Sequence, residues 1–283
     1  PQMIFHCRKF IFEGKLLGEV DFKSYPDDRG LYLDSLTIHS PDFTVSAEGN
    51  WTTDDKGQHS DFSIVAQAPA LGRLLKRFDY NVAGLEGGEA RLEIDARWEG
   101  APADFDLERL NGTLSLRIGK GRFLEIDPKA GRIFGLLSFH TLARRLSLDF
   151  SDLFKKGFVF DSIEGSFLIE NGDAYTNDLV MEAPSARISV SGRVGLASQD
   201  YDQIVTVTPH FASSLPTASA LFGPVGAAVG AAVLLAEKVF RKLPENIDKL
   251  LLKQYSITGS WDKPVIRVLE EEEQTEESTA NEP

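Results

Sequence analysis

Ala90-Arg91-Leu92-Glu93-Ile94-Asp95-Ala96-Arg97-Trp98 decides the fold. Ala90, Leu92, Ile94, Ala96 and Trp98 point one way, and Arg91, Glu93, Asp95 and Arg97 the other. Side chains of an extended backbone alternate between faces, so this period of two marks a strand with one dry and one wet side. The alternation recurs at 43–47, 114–118 and 186–190. Weaker versions predict strands around 20–22, 31–39, 62–68, 158–160, 163–169, 179–183, 204–208 and 255–261. Turn chemistry separates them, as in Pro26-Asp27-Asp28-Arg29-Gly30, Asn111-Gly112 and Glu170-Asn171-Gly172-Asp173. About a dozen short strands in hairpin succession predict a mostly antiparallel sheet.

A loose recurrence accompanies the strands. Gly49-Asn50-Trp51, Ala96-Arg97-Trp98-Glu99-Gly100 and Gly259-Ser260-Trp261 each close an alternating run, and Gly192-Arg193-Val194 takes a similar place. This reads as a Trp plugging the end of a sheet with a Gly relieving a bulge, in a meander built by adding similar units. Helices are few. One short amphipathic helix is predicted at 70–78, and a longer one at 128–147, where Ile133, Phe134, Leu137, Leu142 and Leu146 fall near helical spacing.

From Phe211 to Ala236 there are 26 residues without a charge or a His. Pro216 and Pro224 break the first part, leaving a Gly/Ala-rich helix from Val225 that is shorter than the roughly 20 apolar residues a bilayer span needs. Val225, Gly226, Gly230, Val233, Leu234 and Lys238 are its candidate contact residues. Three placements are open: packed on or plugging the sheet, resting reversibly on a membrane, or spanning one.

Composition narrows the chemistry. Of 283 residues 42% are hydrophobic and 26% charged, as in a folded domain. The net charge is −13, but the stretch 270–283 holds seven Glu and no cation, so the body carries −6 and the end is a disordered acidic tail. No cationic cluster suits nucleic acid. The single Cys7 excludes a disulfide framework and a multi-Cys zinc site. The five His are scattered without helical or hairpin ligand spacing, so no metal or cofactor is expected. His140 with Asp149 and Asp152 is the nearest approach to an acid-base set, and capping accounts for those carboxylates. No catalytic residue is assigned, and the chain is not expected to be an enzyme.

What the sequence supplies is apolar strand surface in excess of helical cover. Such a face either pairs into a sandwich core or curls into a groove for acyl chains. In the groove case Leu92, Ile94, Leu114, Leu116, Ile188 and Val190 are the contact residues, and each buried methylene contributes about 0.8 kcal/mol.

Gly131-Arg132-Ile133-Phe134-Gly135-Leu136-Leu137-Ser138 and Leu142-Ala143-Arg144-Arg145-Leu146-Ser147-Leu148-Asp149-Phe150-Ser151-Asp152 resemble the C-terminal region of YhdP-type proteins of the AsmA-like family. Val207-Thr208-Pro209, the Gly/Ala-rich helix after Leu221-Phe222-Gly223-Pro224 and Tyr255-Ser256-Ile257-Thr258-Gly259-Ser260-Trp261 share in the resemblance, which is strongest between 91 and 268. It implies a long curled antiparallel sheet, taco-like, with an apolar groove. The chain is then divided into a curled sheet over 1–210 with helical insertions near 70–78 and 128–147, a helical segment at 211–252, final strands at 253–269 and the tail at 270–283, which belongs to no motif of the resemblance. It further implies a periplasmic bridge of Gram-negative bacteria, anchored in the inner membrane by a segment upstream. That bridge would move phospholipid between the membranes, this chain being the end near the outer membrane. Phospholipid acyl chains, and the outer-membrane surface or a protein in it, are the implied partners. The alternative is a non-catalytic scaffolding domain that docks an envelope partner through the C-terminal helix.

Overall fold

A computed structural model describes residues 2–12, 14–78, 85–123, 158–210 and 253–269. The predicted helix at 128–147, the segment 211–252 with its six contact residues, His140, Asp149, Asp152 and the tail 270–283 lie outside the described residues.

Five long strands open the chain: β1 (Met3–Phe12), β2 (Lys15–Asp27), β3 (Gly30–Ser40), β4 (Phe43–Asp54) and β5 (Gly57–Ala68). Helix α1 (Leu71–Arg77) and the short β6 (Leu85–Gly87) precede β7 (Ala90–Glu99). Strand β8 (Asn111–Ile118) runs on into β9 (Gly121–Phe123), and β10 (Phe158–Phe160) leads into β11 (Ser162–Glu170). The series ends with β12 (Asp173–Glu182), β13 (Ala186–Gly195), β14 (Asp200–Pro209), β15 (Lys253–Ser260) and β16 (Lys263–Leu269). Thirteen of these form one antiparallel sheet in chain order, omitting only β6, β9 and β10. Among the described residues no strand pairs with the outer edge of β1 or β16, and the sheet curls without closing. It is the predicted curled antiparallel sheet, although its strands are longer than the short runs read from sequence: the stretch 20–22 is the middle of a 13-residue strand.

Two local readings change. Asn111-Gly112 is not a turn but the start of β8, with Gly112 opposite Ala96. Gly112 has φ +142°, and a Cβ there would meet the Asp95 carbonyl oxygen at 1.8 Å, so the residue serves a close backbone approach within the sheet. Glu170-Asn171-Gly172-Asp173, by contrast, is the turn it was read as, with Asn171 at φ 49° and Gly172 at φ 80°. Two positive φ values in a two-residue loop give the primed turn that matches strand twist. Two of the recurrent glycines stand across from bulges rather than in them, whereas Gly259 pairs with Tyr201 and Pro264 in unbroken register. Gly49 faces Leu33, where β3 slips register, and Gly192 faces Thr176, where β12 does.

Register puts the alternating residues on common faces. Ile64, Ile94, Leu114 and Phe167 stand in one row across β5, β7, β8 and β11. Leu179, Val190, Val205 and Tyr255 make another across β12 to β15. All lie on the inner face, and the charged partners line the outer one. A second sheet of three short strands, ordered β10-β9-β6, repeats the order of β11, β8 and β7, of which each strand is a continuation past a kink. Gly87 and Gly88, both at φ +75°, make the kink before β7. The folded-over ends bring Leu85, Phe123, Phe158 and Phe160 into the same core cluster as the inner face.

The two rims of the sheet differ. At one, strand follows strand through tight turns such as 27–30, 54–57, 170–173 and 260–263. At the other, Ala68 and Ala90 pair, Ala90 and Ile163 both pair with Ile118, and Ala186 pairs with Pro209. Every long connection between neighbouring strands of the large sheet except 99–111 leaves from this second rim, α1 and the kinked strands among them.

Cover is uneven along the inner face. On β11 to β15, Phe167, Leu179, Met181, Val205, Tyr255 and Ile257 are at most 2% exposed. At such burial each side chain contributes roughly 1.5–3 kcal/mol. On β1 the inward Met3 and Phe5 are 45% and 46% exposed, and between these extremes half-buried inward positions such as Phe22, Ile38 and Leu92 alternate with buried ones such as Val20, Phe43 and Leu114.

Candidate binding groove

The open part of the inner face runs from β2 to β8. Phe22, Ile38, Val45, Ile64, Leu92 and Leu116 are half-buried there, on neighbouring strands and one side. No inward position of β5, β7 or β8 carries a charge, because the alternation puts Asp61, Arg91, Glu93, Asp95, Arg97 and Arg117 outside. Polar inward atoms are few. Among the described residues Ser24 Oγ, Trp51 Nε1 and Tyr201 OH are buried without a hydrogen-bond partner. Burial drives the Tyr201 phenol above its ordinary range, so it stays neutral. Over β5, β7 and β8 this surface is apolar and uncharged, so burial of apolar area is what it can offer a ligand.

Each end of the open part has its own lining. At the turn rim Trp98 stacks on Phe62 with ring centroids 5.5 Å apart and meets Phe105 edge-on at 5.2 Å. Its indole Nε1 donates to the Ala101 carbonyl at 3.0 Å, fixing the ring where β7 ends. This is the Trp plug read from the sequence, and it leaves Phe105 and Leu107 exposed beside it. At the other rim α1 packs on β6, and Leu71 and Leu75 join the core. Phe78 follows α1 and meets the inward Phe43 at 6.0 Å.

The outer face is a ladder of compensated charges. Arg91 pairs with Glu93 at 2.6 Å, Arg117 with Glu164 at 3.4 Å, and Arg187 with Glu182. A shallow concavity of about 530 Å³ lies among these groups, mostly polar, with Leu116 and Val180 as its apolar lining. Farther along, the Arg193 guanidinium clamps Asp200 with Nη2 at 3.0 Å and reaches Asp173 at 2.7 Å. That contact holds the Asp200 carboxyl below its usual range. Desolvation raises the Asp178 carboxyl, but hydrogen bonds from the Ser166 hydroxyl and N–H outweigh it and leave the group lowered.

His6, Glu19 and Asp21 form one group that could hold a cation, with ligand atoms within 4.8 Å of one another. Sequence spacing missed it because His6 and Asp21 meet only through the β1–β2 register. The 2.8 Å contact between His6 Nδ1 and Asp21 Oδ1, with both side chains exposed, is a cross-strand hydrogen bond in its own right.

The family model described as "YhdP protein" matches residues 1–266. The chain belongs to the YhdP family. The Escherichia coli (strain K12) protein called intermembrane phospholipid transporter YhdP is 28% identical to it over 267 residues. Those residues are 94% of this chain and 21% of that protein, so the chain spans about a fifth of the relative's length. No solved structure matches it.

Within this YhdP-family sheet the six groove candidates share one face but not one environment. Leu92, Ile94 and Leu116 are half-buried and line the open part. Leu114, Ile188 and Val190 are 6%, 2% and 1% exposed and belong to the closed core. Strand alternation cannot separate the two sets, because it reports the face and not what lies over it. The sequence also passed over Phe22 and Ile38, whose runs are interrupted by bulges, and Val45, which lies in the clear alternation at 43–47. Among the described residues no helix is long and apolar enough to cross a membrane.

Proposed function

We propose that the open inner face from β2 to β8 carries the acyl chains of phospholipids in transit, while their headgroups stay in water at the rims. The observation that carries this reading is the half-buried apolar belt on six consecutive strands of a sheet whose other face is a charge ladder. Kinship with a family in which a relative is named as an intermembrane phospholipid transporter supports it. Leu92, Ile94 and Leu116 are the accessible contacts, and Leu114, Ile188 and Val190 extend the same face under cover. Attraction is non-directional, about 25 cal/mol per Å² of apolar surface removed from water, so no polar constellation is required. The role is non-catalytic and uses no cofactor. In this reading the chain is the outer-membrane-proximal part of a periplasmic bridge anchored in the inner membrane, and it supports the outer-membrane barrier.

The test is photo-crosslinking in cells with the full-length protein. A photoreactive amino acid at Ile94 captures phospholipid, and the same amino acid at Glu93, one residue along on the outer face, does not. Equal labelling at both sites, or none at Ile94, Leu92 and Leu116, overturns the reading.

A further inference from the structure

We propose that His6 and Glu19, with Asp21 behind them and His39 beside them, form a site for a divalent transition ion of the zinc type on the outer face of β1, β2 and β3. Three neighbouring strands deliver the set. His6 on β1 stands opposite Asp21 on β2, Glu19 lies two residues back along β2 on the same face, and His39 on β3 stands opposite Glu19. All four are exposed. One ligand atom from each of His6, Glu19 and Asp21 lies within 4.8 Å of the other two.

The contacts of the His6 ring give these side chains different roles. Nδ1 lies 2.8 Å from Asp21 Oδ1, and an ionised carboxylate only accepts, so Nδ1 carries the proton and donates it. In the neutral ring this leaves a lone pair on Nε2, which faces Glu19 Oε1 at 3.7 Å with no proton to share. A cation between the two atoms supplies what that confrontation lacks. The 3.7 Å gap is the separation of two donors each about 2.1 Å from one ion, at an angle of roughly 120°. Asp21 then fixes the tautomer and orientation of the ring, as carboxylates behind metal-bound imidazoles do. His39 is a third donor within reach, because side chains directly opposite in a sheet have Cβ atoms about 4.5–5.5 Å apart. Water completes the shell of so open a site.

Local charge does not by itself draw the ion. Arg8 and Lys9 follow His6 at the bulge of β1, and neither pairs with Glu19 or Asp21. Farther along β2, Lys23 is held by Asp34 at 3.1 Å. Counting these three cations against Glu19, Asp21 and Asp34, the patch is balanced, so ligation by imidazole nitrogen has to hold the ion. That favours zinc over magnesium and calcium, which take oxygen. The ion would be structural and lie apart from the groove. It would pin β1, the strand whose inward Met3 and Phe5 are 45% and 46% exposed, from the opposite face.

The experiment uses the full 283-residue chain, stripped with EDTA, and zinc chloride as the probe. Calorimetric titration is expected to find one saturable zinc site, and zinc raises the unfolding temperature because the site exists only in the folded sheet. With histidine labelled with ¹⁵N, zinc moves the Nε2 resonance of His6 while Nδ1 stays protonated, a readout that needs no variant. Joint His6→Gln and Glu19→Gln substitution, at exposed positions that leave the circular dichroism unchanged, weakens zinc binding at least about tenfold, and Asp21→Asn by about tenfold. His59→Gln, whose ring meets Asp54 at 3.2 Å outside the patch, leaves it as it was. Absence of zinc binding by the wild type overturns the proposal. So does full binding by the double variant, which would put the ion elsewhere, as on the seven Glu of 270–283. Displacement of zinc by equimolar magnesium shows diffuse attraction to carboxylates and also overturns it, as does a zinc shift at Nδ1 in place of Nε2.

Discussion

Gly72 is the second residue of α1, and a glycine inside a helix ordinarily weakens it by up to about 1 kcal/mol relative to alanine. Here its missing side chain lets the helix press onto β6: a Cβ would meet the Leu85 carbonyl oxygen at 1.9 Å. The obstacle is backbone, which cannot swing aside, so overpacking outweighs propensity. Gly72→Ala is therefore expected to destabilise the chain by about 1–3 kcal/mol, seen as a lower denaturant midpoint at constant slope. A raised midpoint would mean that α1 does not seat on β6. Asp200 gives a second test at this scale. Its carboxyl is lowered first by Arg193 and further by the Ser198 hydroxyl, so the folded state favours the ionised form. The stability it contributes is complete above the unfolded carboxyl value and lost as pH falls through the lower folded one. Carboxyl carbon titration should place Asp200 below 3.8, and Arg193→Gln should move it back up. An unmoved midpoint would show that the clamp is not what holds it down.

Strands with the same pattern do different work at the two ends of the sheet. Ile257 on β15 is 0% exposed, whereas Leu92 on β7 is half-buried. Ile257→Ala should cost about 2–5 kcal/mol, and Leu92→Ala less than about half of that, since less surface leaves water there. Equal losses in thermal or denaturant unfolding would mean that the inner face is closed throughout. Much of this layer was legible beforehand. Alternation located the strands, and Asn171-Gly172 its tightest hairpin. What stayed hidden depends on partners rather than on the run itself. Strands β6, β9 and β10 are three residues each, too short for any period, and exist because three neighbouring strands bend together, β7 at Gly87 and Gly88. Gly112 looked like turn chemistry because a glycine demanded by a neighbouring backbone is indistinguishable, in one sequence, from one demanded by a turn. The pairing of His6 with Asp21 and the division of Leu92 from Ile188 both require register and cover, which no single strand records.

Among the described residues the sheet is a meander with no strand beyond β1 or β16. At the β1 edge Ile4, Ile11 and Phe12 are 66%, 61% and 57% exposed. An apolar open edge is a template for another strand. The isolated chain should thus self-associate with rising concentration in sedimentation experiments, and Ile4→Lys with Ile11→Lys should return it to monomer. Association unchanged by these lysines would place the contact elsewhere. Strand order has a further consequence. Because each strand pairs with its neighbours in sequence, and both ends of a hairpin return to the same rim, one hairpin can be removed or duplicated without reversing the chain or exchanging the faces. Deleting β3 and β4, for instance, would leave the end of β2 and the start of β5 on one rim. With strands about 4.8 Å apart, each such event changes the span of the sheet by about 10 Å. Reach is thus a quantity that this architecture can adjust in whole-hairpin steps, like links in a chain, while the chemistry of the surface it carries stays the same.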